Sequence, residues 1–391
     1  MSGRTAAGPS PSPAHLAFHT ESQEWGGAES CLAALVAGAS TGARRITVLG
    51  VSDDVVQRLV RLAPVPADAV LLPARASALD PRPLLPYVRA LRRLRPDLLH
   101  VNAAFTFGSP YALVAAALTG VPYVVQEHLP LAPGHPRLQV PLKRWTSRRA
   151  RAHVAVSGRA ARETERLARL PAGSVGVVAN GVPAHLPTDP QPAPGRPCIV
   201  AVGRLTRQKG FDVLLRAVAA LPGVHVVLVG DGPERSPLAD LARELGVTDR
   251  VQVTGWRTDA RAWMAGADVV AVPSRFEAGA LVLIEALAEG VPIVASDVGS
   301  AQEVLDAGRC GAIVPPDDVD ALRAALAGVL ANPPRARSRA LAGRRRYDDL
   351  YTEQVMLGRW REVYATALAS SRPASSWPAS SRPASSRPAA S

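Results

Sequence analysis

Lysine is almost missing from this 391-residue chain: of 45 basic residues only Lys143 and Lys209 are lysines, and the other 43 are arginines. With 36 prolines, the arginine excess reads as a compositional bias, which singles out the two lysines. Cysteine is scarce as well. Cys31, Cys198 and Cys310 are odd in number and far apart, which argues against a metal-type spacing and a secreted disulfide scaffold and for a reducing compartment. Long apolar runs are absent too. Residues 98–125 carry no Asp, Glu, Lys or Arg, but Gly108-Ser109-Pro110 and Gly120-Val121-Pro122 cut them into strand, helix and strand. No transmembrane helix is expected. Residues 1–13 are rich in Gly, Ser and Pro, read as flexible, and lack the apolar core of a signal peptide, so the expected location is cytoplasmic.

Against these absences stand 47% apolar and 20% charged residues, ordinary globular usage that excludes wholesale disorder. At roughly 150 residues per domain the length allows two or three domains. Short apolar runs at 15–19, 46–49, 70–72, 98–102, 123–127 and 153–157 alternate with helical patterns such as 27–39, 83–94 and 110–118. The alternation breaks at 186–197, where five prolines mark a linker. It resumes with runs at 199–202, 225–230, 251–254, 269–273, 293–296 and 312–314. The pattern predicts α/β architecture, with two doubly wound parallel-sheet domains facing across a cleft and ligands beyond the carboxyl ends of the strands. The expected limits are 14–185 and 198–349, with a final helix within 350–369 packing back on the first domain. From Ser370 the chain repeats SSRPA, SSWPA, SSRPA, SSRPA, a tail of 370–391 read as disordered, or as a tether to an acidic surface through Arg372, Arg382 and Arg387.

Two segments carry chemistry. In SRFEAGALVLIEALAEG, residues 274–290, Glu277 precedes a helix whose N-terminal amides at Gly279, Ala280 and Leu281 suit an anion, and Glu285 lies about one turn in, placed for vicinal hydroxyls. In VGRLTRQKGFDVLLRAV, residues 202–218, a strand ends at Gly203, and Arg204 and Lys209 bracket a loop suited to a diphosphate. Solvated carboxylates and an exposed basic loop are the plain alternatives.

The order and spacing of GRLTRQKG (203–210), VGDGPE (229–234), VTGW (253–256), FEAGALVLIEA (276–286) and VPIVASDVGSAQEVL (291–305) resemble the donor-binding domain of retaining GT-B glycosyltransferases of the family 4, or group 1, type. WGGAE (25–29), DLLHVN (97–102), VVQEH (124–128), VSGRAARE (156–163) and VVANGV (177–182) resemble its acceptor domain more loosely. The resemblance implies a GT-B fold of two Rossmann-like domains and a hexosyltransferase moving a sugar from a UDP- or GDP-linked donor to a hydroxyl acceptor such as a glycan, glycolipid or small metabolite. Arg204 and Lys209 would neutralise the diphosphate, with Gly203 and Gly255 in the matching donor motifs. Glu285 would bind ribose hydroxyls. Glu277 would hold the donor sugar and His128 would sit beside it, while Gly26 and Gly27 would allow close backbone approach. No cofactor and no obligatory metal are expected: Asp53-Asp54, Asp317-Asp318 and Asp348-Asp349 lie outside any matching place.

The family pattern is broken at Ala278-Gly279-Ala280, where the glycine is shifted by one, and at Glu127, an unusual residue before the histidine. Trp256 and Trp263 read as core or nucleobase-side packing, and Glu303 as a cap or a contact. The net charge of +12 does not choose a partner. Arg137, Lys143, Arg144, Arg148, Arg149 and Arg151 surround Leu142 and Trp145, which reads as a basic amphipathic helix over 137–151 resting peripherally on anionic membrane, or as a solvated basic helix. Nucleic acid is not expected, since no binding module appears. A sugar-nucleotide epimerase or hydrolase and a non-catalytic nucleotide-sugar-binding subunit are the alternative functions. Donor base, acceptor and oligomeric state are not readable.

Overall fold

The computed structural model describes residues 14–39, 43–76, 80–130, 139–184, 190–191 and 194–370. The expected N-terminal segment, half of the 186–197 linker, Arg137 and the repeats beyond Ser370 lie outside the described residues. Every strand expected from the sequence forms, to within three residues at either end.

The chain divides into two compact units. The first holds β1 (Ala14–Thr20), α1 (Gly27–Gly38), β2 (Ala43–Gly50), α2 (Asp53–Arg61), β3 (Ala67–Leu71), α3 (Leu84–Leu94), β4 (Leu98–Phe105), α4 (Pro110–Thr119), β5 (Tyr123–Leu129), α5 (Gln139–Ser147), β6 (Ala152–Ala155), most of α6 (Gly158–Ala168) and β7 (Gly176–Val177). Its sheet is parallel, in the order β3-β2-β1-β4-β5-β6-β7. Alternation along the strands splits the residues between faces. On β4 and β5, Leu99, Val101, Ala103, Tyr123 and Val125 face a core with Tyr87, Leu91 and Tyr111. His100, Asn102, Gln126 and His128 take the alternate positions and carry the polar chemistry.

The second unit holds β8 (Cys198–Val202), α7 (Phe211–Ala219), β9 (His225–Val229), α8 (Arg235–Glu244), β10 (Val251–Gly255), α9 (Ala260–Ala265), β11 (Val269–Val272), α10 (Leu281–Glu289), β12 (Ile293–Ser296), α11 (Ala301–Val304), β13 (Ala312–Val314), α12 (Val319–Ala331) and α13 (Pro333–Leu350). Its sheet order is β10-β9-β8-β11-β12-β13. Both faces are dry: Val200, Val227 and Val270 belong to one core and Ile199, Val226 and Val269 to the other. This explains the near-continuous apolar strands, since a parallel sheet is covered on both sides. Each fully buried Val or Leu contributes about 1.5–3 kcal/mol.

By spatial contact the chain leaves the first unit after Val178 and returns to it at Leu357. The reason is local: Val182 bridges to Thr352, and the Tyr347 hydroxyl donates to the Val182 carbonyl at 3.1 Å, so residues 179–184 belong to the second unit. Helix α14 (Glu353–Ala369) carries the chain back. From Leu357 it is part of the first unit, where Trp360 is fully buried against His100 (ring centroids 4.8 Å apart) and Tyr364 hydroxyl meets His100 Nδ1 at 2.9 Å. Among the described residues no helix is long and apolar enough to cross a membrane.

In each sheet the strand order reverses once, between β1 and β4 and between β8 and β11. Loops leaving the carboxyl ends of strands at such a reversal diverge and leave room for a ligand. The sequence puts the loops 21–26, 203–210 and 273–280 there.

Candidate active site

In the second unit the β8 and β11 loops are built around backbone contact. Gly210 has φ +65°, and a Cβ there would lie 2.1 Å from the Pro273 carbonyl oxygen. Gly203 (φ +152°) leaves the space a side chain would take from the Lys209 stem, 3.1 Å from its Cε. Both positions therefore exclude other residues. Arg275 fixes the second loop. Its guanidinium reaches both carboxylate oxygens of Asp212 at 2.8 Å and the Arg207 carbonyl at 2.7 Å, and its backbone N–H donates to the Gln208 carbonyl. The bidentate fork sets geometry as well as energy.

Within this frame Lys209 Nζ contacts Glu277 Oε1 at 2.5 Å, and the Ser274 hydroxyl donates to the same oxygen at 3.0 Å. Both members of the pair are largely but not wholly buried. The structure thus joins two residues that the sequence assigned to separate parts of a donor. Lys209 has three N–H donors, so one bond to Glu277 leaves others for a diphosphate. Arg204 is exposed at the start of the same loop. Ala280 is the N-cap of α10 and supplies no side-chain cap, so the amides of Gly279, Ala280 and Leu281 begin the helix. The shifted glycine is accommodated because the loop is tied through its carbonyls: Ser157 hydroxyl donates to Ala278 O and Asn180 amide to Gly279 O.

Glu285 lies on the second turn of α10, half-buried. Burial raises its carboxyl pKa, against the pull of Arg261 and Lys209. Gly255 (φ +76°) ends β10 beside Asp231 and Arg235. Trp256 is 71% exposed, because it follows the last residue of an edge strand, which overturns the core alternative expected for it. Glu303 is a cap: its two carboxylate oxygens accept from the backbone N–H groups of Gly158 and Arg159, both at 2.9 Å.

The first unit holds its own cluster. Gly26, in extended conformation, caps α1, and Gly27 opens it. A Cβ on Gly26 would come within 3.3 Å of Glu29, a buried carboxylate held by the Thr20 and Ser22 hydroxyls. On β5, His128 Nε2 meets Asn102 Oδ1 at 2.7 Å, and Asn102 Nδ2 donates to the Ala28 carbonyl at 3.5 Å. That second bond orients the amide, so Nε2 carries the proton. Burial lowers the His128 pKa to about 4, which keeps the ring neutral at pH 7. Asn102 was not singled out from the sequence, although it ends the fourth-strand motif. Ser274 and Arg275, at the head of the Glu277 segment, were likewise overlooked.

Glu127, the unusual residue before His128, is explained by the second lysine. Lys143 and His153 both contact Glu127 Oε1, His153 at 2.9 Å, and all three side chains are buried. Burial alone would raise the Glu127 carboxyl, but the Lys143 charge and the His153 hydrogen bond leave it below the ordinary value. Lys143 therefore does not belong to a basic surface, contrary to the amphipathic reading of 137–151. The acidic pairs fall at places with other work: Asp53 accepts from Gln57, Asp317 pairs with Arg275, Asp318 caps α12 through the Ala321 N–H, and Asp348 pairs with Arg344.

Two family models together span most of the chain: "Glycosyltransferase Family 4" over residues 25–186 and "Glycosyl transferases group 1" over 187–346. The MMP alpha-(1->4)-mannosyltransferase of Mycolicibacterium hassiacum is 31% identical over 72% of this chain and 73% of its own length. The chain belongs to the group 1 glycosyltransferase family. Another member, the lipopolysaccharide core biosynthesis glycosyltransferase LpsE of Rhizobium meliloti, is 37% identical over 35% of this chain; the match spans 40% of that protein's length. For a GDP-mannose-dependent mannosyltransferase of Mycolicibacterium smegmatis the figures are 38%, 38% and 42%. Among solved structures, Anabaena Alr3699/HepE in complex with UDP superimposes with a TM-score of 0.78 at 22% identity, covering 90% of this chain and all of that one. The family's GT-B fold is therefore present.

Proposed function

We propose that this protein is a retaining glycosyltransferase that moves a sugar from a UDP- or GDP-linked donor to a hydroxyl acceptor. The observation that carries the reading is the Lys209–Glu277–Ser274 cluster, set beside Arg204 and the start of α10 where the β8 and β11 loops diverge. Two cations and free helix amides suit a diphosphate, and their stabilisation grows as the leaving group gains charge. Glu277, pinned by Lys209 and Ser274, is rigid enough to accept from sugar hydroxyls. Glu285 takes the ribose hydroxyls, and Gly203 and Gly255 let the backbone approach the nucleotide. On the first unit, neutral His128 gives its Nε2–H to Asn102 and keeps Nδ1 to accept from a sugar hydroxyl, and Gly26 and Gly27 leave their two positions without side chains.

In the reaction the bond from the anomeric carbon to the phosphate oxygen breaks and one to the acceptor oxygen forms on the same face. The acceptor proton passes to the departing phosphate. Arg204 and Lys209 supply the positive charge that a metal would otherwise provide. Relatives named as mannosyltransferases and a neighbour bound to UDP support a nucleotide-sugar donor of one of these two bases.

The test is a thermal-shift panel of UDP, GDP, ADP and their sugars, followed by turnover with the selected donor with and without EDTA. A selective shift by one uridine or guanosine nucleotide and full activity in EDTA are expected. No shift by any nucleotide would remove the donor assignment, and a strict Mg²⁺ requirement would remove the metal-free one.

A further inference from the structure

The described residues of the first unit hold a second concentration of positive charge. Arg144, Trp145, Arg148 and Arg149 of α5 and the turn after it, with Arg169 just past α6, line a pocket of about 290 Å³ that Val140 helps to close. Elsewhere in the chain arginines are commonly paired: Arg45 with Asp68, Arg196 with Asp268, Arg243 with Asp240, Arg257 with Asp259. Among the described residues no carboxylate pairs with Arg144, Arg148, Arg149 or Arg169. The sequence explains this, since it has no Asp or Glu between Glu127 and Glu163. Glu127 is consumed by Lys143 and His153, and Glu163 by Arg166.

Four like charges around one concavity repel, so something must hold them. Two local features do so. The carboxyl ends of α5 and α6 are the negative poles of their helices and favour cations in the turn beyond them, where Arg148, Arg149 and Arg169 stand. The Trp145 ring holds the Arg149 guanidinium 4.3 Å from its centroid. Arg169 also has φ +51°, the left-handed position after a helix where glycine is preferred. An arginine there is placed at a conformational cost, and its side chain lines the pocket.

The geometry points to a phosphate-ester site in this pocket, distinct from the donor diphosphate site and independent of the glycosyl-transfer reading. Guanidinium forks match phosphate oxygens in two-point contacts, which ammonium groups do not. A compact dianion or a diester headgroup fits the volume, and the apolar floor of Trp145 and Val140 accepts the carbon skeleton attached to it. The ligand is either a soluble phosphate ester or the headgroup of an anionic lipid; the chemistry at the pocket is the same.

The test uses the full chain and two probes, glycerol 3-phosphate by calorimetry and equimolar phosphatidylglycerol–phosphatidylcholine vesicles by flotation, each at matched ionic strength. Variants are Arg148→Gln, Arg169→Gly and, as a control of equal charge loss, Arg243→Gln on the other unit. Arg169→Gly removes the charge while relieving the backbone, so it keeps the fold. We expect binding to at least one probe, reduced roughly tenfold or more by each pocket variant and unchanged in the control. Binding of glycerol 3-phosphate identifies a soluble ester as sufficient, and binding of vesicles alone identifies a lipid headgroup. Absence of binding to both probes, or equal loss in Arg243→Gln, overturns the site.

Discussion

Each unit spends its single lysine on a glutamate, and the two pairs differ in almost everything but chemistry. Lys143–Glu127 is sealed inside the first unit between β5 and α5, with His153 as third member. Lys209–Glu277 sits in the second unit on loops beyond the strands, with side chains 19% and 11% exposed. A sealed pair gains little net energy over apolar packing, because desolvation consumes most of the attraction; its effect is to fix which residues face inward. A partly open pair keeps hydrogen-bonding capacity for a ligand. The lesson is that the same ion pair orders a core in one setting and presents charge in the other, and burial decides which.

The largest effect expected is an acid response confined to one side of this comparison. His19 and His100 are lowered to about 3, His128 to about 4, and His153 is lowered too, all by burial in the first unit. Their folded pKa values lie below the unfolded value of about 6.5, so their stability contribution is complete above that pH and falls as pH drops, by about 1.4 kcal/mol per unit for each ring. Glu285 in the second unit has the opposite sign, since its raised carboxyl is relieved by protonation. Hydrogen exchange compared at pH 7 and pH 5 should show protection lost mainly from first-unit peptides; equal loss in both units would break the contrast.

Next in size is Lys143→Met, which strands a buried carboxylate and should cost about 3–5 kcal/mol in the denaturation midpoint. Adding Glu127→Leu should recover most of that. Lys209→Ala should reverse the pattern, lowering turnover about a hundredfold, equivalent to a lost contact of roughly 3 kcal/mol, with the midpoint little changed. If the two lysine variants act alike, burial is not what separates the pairs. The smallest effect is Glu285→Ala, for which donor affinity should fall about tenfold by calorimetry, or about 1.4 kcal/mol; unaltered affinity would remove the ribose assignment.

Much of this was legible in advance, for identifiable reasons. Strand positions followed from Val-rich runs bounded by Gly and Pro, because buried parallel strands need no alternation. Lys209, Glu277 and Glu285 stood out because their motifs are contiguous. What escaped was tertiary. Nothing local says that Lys143 points inward while Arg144 and Arg148 point outward; the fold decides that by placing Glu127 and His153 behind α5. The unusual Glu127 and the rare Lys143 were both visible, but sixteen residues apart their partnership was not. Asn102 needed the β4–β5 register, in which it lies opposite Gln126, before its reach to His128 could be seen.

The return of α14 to the first unit has a consequence for how the protein is made. Trp360 and Tyr364 close the His100 face of a sheet whose other strands are all finished before residue 178. A chain emerging from the ribosome therefore presents the residues of the second unit before the helix that covers the His100 face of the first. The strands of the first sheet are thus all made well before the helix that closes one of its faces.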